Sequence, residues 1–204
     1  MLEFVESVRK SLLDENYEAA LFIALSLPDI CGKLETPEER NGPRAKRWFK
    51  DNLKDKYFAD NLYETFLANF PEQLDKMPQY LIDDLKTKKP LVSFDHESYW
   101  ALRNAFLHEA SDSTKLQKIQ LTHSSAHMNM FNGVLQLSVI NLSNDICDAV
   151  VKWVERMKDN NDVCQRINSR AKIKNEMLGG AIRFGSSYKL SNHSYMLSLN
   201  FRFT

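Results

Sequence analysis

Three polar residues, Arg103, Asn104 and His108, interrupt an otherwise apolar-periodic stretch running from Asp95 to Glu109, and their side chains are of the types that handle protons and phosphate. A histidine serves as base or acid near neutral pH. An arginine offers a forked, permanently charged donor to phosphate oxygens or to charge developing on phosphorus. Asn104, four residues before His108, could orient the imidazole or bond a phosphate oxygen itself. The competing reading is structural: Arg103 pairs with a carboxylate, and His108 is a satisfied polar residue at a helix end.

The element that must position these groups is a helix. At about 100° per residue, Tyr99, Leu102 and Phe106 fall on one stripe with Ala105 and Leu107 at its margins, which marks a core face. Asn104 and His108 stack on the opposite flank, and Arg103 projects from the boundary between the two. Asp95 is the expected N-cap, because its carboxylate can accept from unpaired N–H groups of the first turn. The predicted helix starts near residue 96 and frays into Ser111-Asp112-Ser113.

Upstream, Phe4, Val5, Val8, Leu12 and Leu13 follow helical spacing until Asp14-Glu15-Asn16. The segment from Tyr17 to Ile30 is apolar almost all round, which predicts a helix in the middle of a bundle. Pro28 is expected to kink or end its last turn, with Gly32 as a left-handed stop. Thr36-Pro37-Glu38-Glu39 reads as a capping box opening another helix, and Asn41-Gly42-Pro43 as a break. Arg44, Lys46, Arg47, Trp48, Phe49 and Lys50 then form a basic segment, either an amphipathic helix with Trp48 and Phe49 in the core or a phosphate-binding edge built on Arg44 and Arg47. Amphipathic segments follow over residues 57–70 and 72–86, the second with Met77, Tyr80, Leu81 and Leu85 inward.

Beyond Ser113 the pattern turns β-prone. Apolar runs around Ile119–Leu121 and Val134–Ile140, with Asn132-Gly133 between them, predict a small antiparallel ribbon over about residues 116–139. A last long helix carries Ile146, Ala149, Val150, Trp153, Val154 and Met157 on one face, capped by Asn141 or Ser143. Residues 165–204 hold seven basic residues against one acid, and end in the alternation Tyr195, Leu197, Leu199, Phe201, Phe203. Gly179-Gly180 and Gly185-Ser186-Ser187 read as turns. The expected architecture is mainly α: a helical bundle over residues 1–160 carrying the ribbon, then a basic, β-prone C-terminal extension over 161–204. Arg166, Arg170, Lys172 and Lys174 of that extension are candidate polyanion contacts.

Composition narrows the classes. The 27 basic and 27 acidic residues of this 204-residue chain cancel, so a polyanion would have to be held by a local patch. Cys31, Cys147 and Cys164 are odd in number and widely spaced, which argues against a disulfide framework and for a reducing compartment. The acid-bearing N-terminal stretch does not read as a signal peptide, and Ala19–Leu27 is too short to span a bilayer. A cytoplasmic protein without membrane association is the expectation.

On a late helix of a largely helical chain, the run Arg103-Asn104-Ala105-Phe106-Leu107-His108 resembles the signature of the HEPN superfamily (higher eukaryotes and prokaryotes nucleotide-binding domains). Its ribonucleases carry an arginine, a polar residue after it, and a histidine a few residues on. Ser26-Leu27-Pro28-Asp29-Ile30-Cys31-Gly32 is also similar to the early helix of some small bacterial proteins of this kind. The resemblance implies a HEPN-like bundle and a metal-independent endoribonuclease, acting as a toxin or defence protein under an antitoxin or other regulator. Arg103 and His108 would be catalytic with Asn104 supporting them, no cofactor would be required, and a homodimer would face two motifs into one cleft. Its products would be 2′,3′-cyclic phosphate and 5′-OH ends.

Neutral overall charge points the other way, towards a non-catalytic helical module that binds a nucleotide, nucleic acid or protein, since a free-standing RNA cleaver often carries a basic surface. His123 and His127 have a chelating spacing on a helix but not on a ribbon, and no carboxylate or cysteine accompanies them, so no metal site is expected. Asp29 and Glu35 are acids near the end of the apolar helix, where capping or pairing is the usual role. No Gly-rich phosphate loop and no local Ser-His or Cys-His signature is present.

Overall fold

A helix that is apolar on nearly every side needs neighbours on nearly every side, and the molecule is arranged around that requirement. The computed structural model describes residues 1–171, 173, 176–177 and 182–183. Its central helix, α2 (Tyr17–Glu35), buries Ala20, Leu21, Ala24, Leu25, Leu27, Cys31 and Leu34. Around it pack α1 (Leu2–Leu13), α3 (Asn41–Tyr57), α7 (His96–Glu109), α8 (Val139–Met157) and α9 (Asn161–Asn168). These elements belong to one unit, Met1–Ser169, that is mainly helical with a small sheet. None of the helices described is long and apolar enough to cross a membrane.

Two expectations for α2 are corrected. Pro28 is buried inside the helix rather than at its end, and the helix runs on to Glu35. Gly32 is helical too. A Cβ there would come within 3.0 Å of the Arg44 carbonyl oxygen, so glycine serves the close approach of α3 rather than a left-handed stop. The capping box is corrected as well. The Thr36 hydroxyl donates to Glu39 Oε2 at 3.0 Å, whereas a capping box joins each side chain to the other's backbone N–H; the Thr36 N–H instead closes α2 on the Gly32 carbonyl, and the pair shapes a turn. Helix α3 starts at Asn41, straight through the expected break, because Arg44 and Arg47 tie its first turns back to Glu39.

Trp48 and Phe49 face the core from α3 as expected, joined by Ala45, Leu53 and by Tyr57, which ends this helix rather than opening the next segment. Phe49 stacks on Tyr99 with centroids 4.4 Å apart, and Trp48 meets Trp153 edge-on at 6.4 Å. Cys31 and Cys147 are buried free thiols, and burial pushes Cys147 up to about 11. Three shorter helices, α4 (Leu62–Asn69), α5 (Pro71–Leu74) and α6 (Gln79–Thr87), pack on one another and bury little. Tyr80 and Leu81, expected inward, are 71% and 39% exposed. Amphipathic spacing identifies a face, but this excursion has no core against which to bury it.

The ribbon is half as expected. Strands β2 (Asn129–Phe131) and β3 (Val134–Ser138) form the antiparallel hairpin predicted around Asn132-Gly133, whose φ values of 50° and 74° suit a tight primed turn. Strand β1 (Ile119–Thr122), however, pairs with β3 in parallel, Ile119 opposite Leu135 and Thr122 opposite Ser138, giving the order β1-β3-β2. Alternation specifies which face of a strand is buried and is silent on direction. Leu135 and Leu137 of central β3 reach the core. At its end Ser138, rather than Asn141 or Ser143, caps α8 by accepting from the Asn141 N–H. Ser143 is buried within the helix.

His127 locks this junction. Its Nδ1 accepts the Ser138 N–H at 3.2 Å, and its ring stands edge-on to Tyr57 at 5.5 Å. Tyr57 in turn donates to Asp145 Oδ2 on α8. In the second unit, Glu176–Met177 pairs antiparallel with Ile182–Arg183. Lys172, Lys174, the two expected glycine turns and the alternation from Tyr195 to Phe203 lie outside the described residues.

Two measurements follow from this packing. Gly32→Val forces a branched side chain against the α3 backbone and is expected to cost about 2–3 kcal/mol in chemical denaturation. Burial, with Lys56 adding to it against Asp145, holds the His127 imidazole below its ordinary value of 6.5. The unfolded chain therefore binds the proton more readily, and this contribution to stability is present above pH 6.5 and lost as pH falls through the lowered value. His127→Gln, which keeps an acceptor for Ser138, should flatten the denaturation midpoint between pH 7 and pH 5; an unchanged slope would remove His127 as its source.

Candidate functional site

Helix α7 carries the motif; its start is fixed as the sequence predicts, while its end, expected to fray into residues 111–113, is a defined stop. Asp95 Oδ1 accepts the Ser98 N–H at 2.8 Å, and Ala110 closes the other end in a left-handed conformation with φ of 50°. The buried stripe is Ser98, Tyr99, Leu102 and Ala105, with Phe106 partly buried beside them. Tyr99 anchors α7 to α2 by donating from its hydroxyl to the Leu25 carbonyl at 2.9 Å, and its burial raises the phenol well above its ordinary pKa. Trp100 lies over Gly42, where a Cβ would come within 3.3 Å of the indole.

Arg103 organises the rest. Its Nη1 donates to Asn104 Oδ1 at 3.0 Å and lies 3.3 Å from His108 Nε2. A guanidinium has only hydrogens to offer, so this contact is a hydrogen bond only when Nε2 carries a free lone pair. The guanidinium lies over the Trp100 ring, 5.0 Å from its centroid, and Nη2 faces Asp29 Oδ2 at 3.8 Å. The Arg103 side chain is 15% exposed, whereas His108 is exposed. The three motif residues therefore converge, but through Arg103: its flexible stem carries the guanidinium from the helix boundary onto the flank that Asn104 and His108 share.

Asp29, near the end of the apolar helix where an acid usually caps or pairs, is the residue that links this motif to the rest of the molecule. It accepts Arg44 Nε at 2.8 Å on its other oxygen, so one carboxylate faces two guanidinium groups. Nothing in the linear pattern ties Asp29 to Arg103; only the packing of α2 on α7 brings them together.

Within the first unit, the basic residues proposed as polyanion contacts are taken up by neighbouring acceptors. Arg44 is engaged by Asp29 and by the Glu39 carbonyl. Arg47 serves Glu39 at 3.1 Å, the Thr36 hydroxyl at 2.7 Å and, more distantly, Glu35 and Asp51. Arg166 donates to the Leu34 and Glu35 carbonyls, completing the C-terminal end of α2. Arg170 belongs to the second unit. His123 and His127 do not converge on a common point: His123 stacks on Tyr17, and His127 is held by Ser138 and Tyr57. Among the described residues, no group of three histidines, cysteines or carboxylates is placed to hold a metal ion.

Asp29→Asn keeps the shape of the carboxylate and removes its charge, leaving Arg44 and Arg103 near one another without compensation. We expect a loss of about 2 kcal/mol in chemical denaturation, accompanied by displacement of the His108 ring signals in NMR spectra; unmoved His108 signals would show that Asp29 does not position the motif. Comparison of the chain with protein-family models, with curated proteins and with solved structures returns no match.

Proposed function

We propose that this chain is a metal-independent endoribonuclease of HEPN type, with Arg103, Asn104 and His108 as its reactive group. The observation that carries the reading is the Arg103–His108 contact at 3.3 Å, which places a permanent cation beside an exposed imidazole. In the reaction, the Arg103 guanidinium leaves His108 Nε2 for the phosphate, the freed Nε2 takes the proton from a ribose 2′-OH, and the 2′-oxygen attacks the adjacent phosphorus. Arg103 donates to the phosphate oxygens, where charge accumulates. Asn104 holds the guanidinium in plane by accepting one of its hydrogens. The bond from phosphorus to the 5′-oxygen breaks, leaving a 2′,3′-cyclic phosphate and, once the leaving oxygen is protonated, a 5′-OH.

One copy of the motif supplies one proton-transfer group. The leaving 5′-oxygen needs a second, and the partner's His108 in a homodimer would supply it. Such a protein would act on cellular or foreign RNA as a toxin or defence factor, in the cytoplasm and under a regulatory partner.

A second reading is favoured by one observation: Arg103 is mostly buried, facing Asp29 and Trp100, as a structural arginine would be. In that case the chain is a helical module that binds a nucleotide, nucleic acid or protein without catalysis. The two readings separate in one assay. The enzyme reading expects RNA cleavage in EDTA with cyclic-phosphate ends, abolished in His108→Ala while circular dichroism shows the helices intact. Cleavage that persists undiminished in that variant removes the assignment.

A further inference from the structure

The donors of Arg103 are unevenly matched. Nη1 donates to Asn104 Oδ1 and meets His108 Nε2 at 3.3 Å, while Nη2 stands 3.8 Å from Asp29 Oδ2, close enough for charge attraction and too far for a hydrogen bond. Nε is buried and has no hydrogen-bond partner among the described residues. On the acceptor side, Asp29 Oδ1 takes Arg44 Nε at 2.8 Å, and Oδ2 accepts no hydrogen bond among the described residues. A guanidinium and a carboxylate this near normally close onto each other in a charge-assisted bond. The pair stays open because Nη1 is held elsewhere, by Asn104 and by the imidazole in its neutral form.

We infer that Arg103 has two resting positions and that the proton on His108 chooses between them: neutral His108 keeps the guanidinium on Nε2, and protonated His108 releases it to Asp29. The inference deepens the proposed function, on which its consequence for RNA rests. A guanidinium has no lone pair and a protonated imidazole has none at Nε2, so protonation turns the 3.3 Å contact from a hydrogen bond into a meeting of two cations. Asp29 Oδ2 is the open acceptor within reach, and a shift of about 1 Å brings Nη2 to charge-assisted bonding distance. Nη1 and Nη2 diverge from the guanidinium carbon, so motion along Nη2 draws Nη1 off His108. The flexible arginine stem allows that motion, and the Trp100 face beneath the guanidinium keeps its cation–π contact as it slides. The charged groups that α2 and α3 bring to the pair are Asp29 and its partner Arg44; on α7 itself, exposed Glu109 follows His108. Tyr99 and Cys31, also within electrostatic reach, are fully buried and keep their protons where an imidazole titrates. In the proposed reaction, acid therefore withdraws base and cation together, because one proton occupies Nε2 and sends Arg103 to Asp29.

The test follows the Arg103 guanidinium and His108 ring signals of the full chain by NMR from about pH 8 to about pH 5, in wild type, His108→Gln and His108→Ala. Position 108 is exposed, so the fold is kept. Gln offers an acceptor that does not titrate, and Ala offers none. Wild-type Arg103 signals should match those of His108→Gln where the imidazole is neutral and those of His108→Ala where it is protonated. At the acid end, wild-type guanidinium hydrogens should exchange with water about tenfold more slowly than those of His108→Gln at the same pH, the protection given by one charge-assisted bond. Arg103 signals that ignore the imidazole titration, or that change identically in His108→Gln, overturn the inference. Slow exchange retained in folded Asp29→Asn does the same. RNA cleavage is assayed on the wild-type preparation: movement of Arg103 in a protein that cleaves no RNA leaves the two positions standing and removes the nuclease reading, whereas cleavage without movement removes this inference alone.

Discussion

One carboxylate facing two guanidinium groups is the constraint on which the motif depends. Asp29 lies on α2, Arg44 on α3 and Arg103 on α7, so their meeting fixes three helices relative to one another. All three side chains are about 15% exposed, a setting in which charges interact more strongly than they do in water and in which an uncompensated one is costly. Arg44 takes the short contact and the second hydrogen bond to the Glu39 carbonyl. Arg103 keeps the longer one through Nη2, and its Nη1 reaches Asn104 and His108.

The packing beneath this cluster allows it. Gly32 and Gly42 have their missing Cβ atoms where the Arg44 backbone and the Trp100 ring pass, which lets α2, α3 and α7 approach one another closely. Phe49 stacked on Tyr99, with Tyr99 bonded to the Leu25 carbonyl, fills the interior on the same three helices. Specific contacts of this kind hold the backbone of α7 in place, so the reach of Arg103 is decided by its own stem and by Asp29.

The same economy of partners governs the other basic residues. A run of arginines with aromatic neighbours is compatible with a nucleic-acid surface or with a helix whose acids lie across a turn, and for Arg44 and Arg47 the geometry is the second. Arg166 completes a helix end through backbone carbonyls. The proposed RNA contact therefore centres on Arg103, in keeping with a chain whose charges balance.

By itself the sequence determined the elements that local rules control. Asp95 as a cap, the Tyr99–Leu102 stripe, the all-round apolar α2, Trp48 and Phe49 facing inward and the Asn132-Gly133 hairpin each follow from spacing or turn chemistry within a few residues. It also placed Arg103, Asn104 and His108 on one helix. Only the tertiary structure decided what depends on partners distant along the chain. Pro28 remains helical because its neighbours bury it, Thr36-Pro37-Glu38-Glu39 becomes a turn because Glu39 is drawn to Arg47, and β1 runs parallel to β3 because strand alternation carries no direction. The link from Asp29 to Arg103 is of the same kind. Periodicity reports which face of an element is apolar; which opposite charge that face will meet is set by how the helices pack.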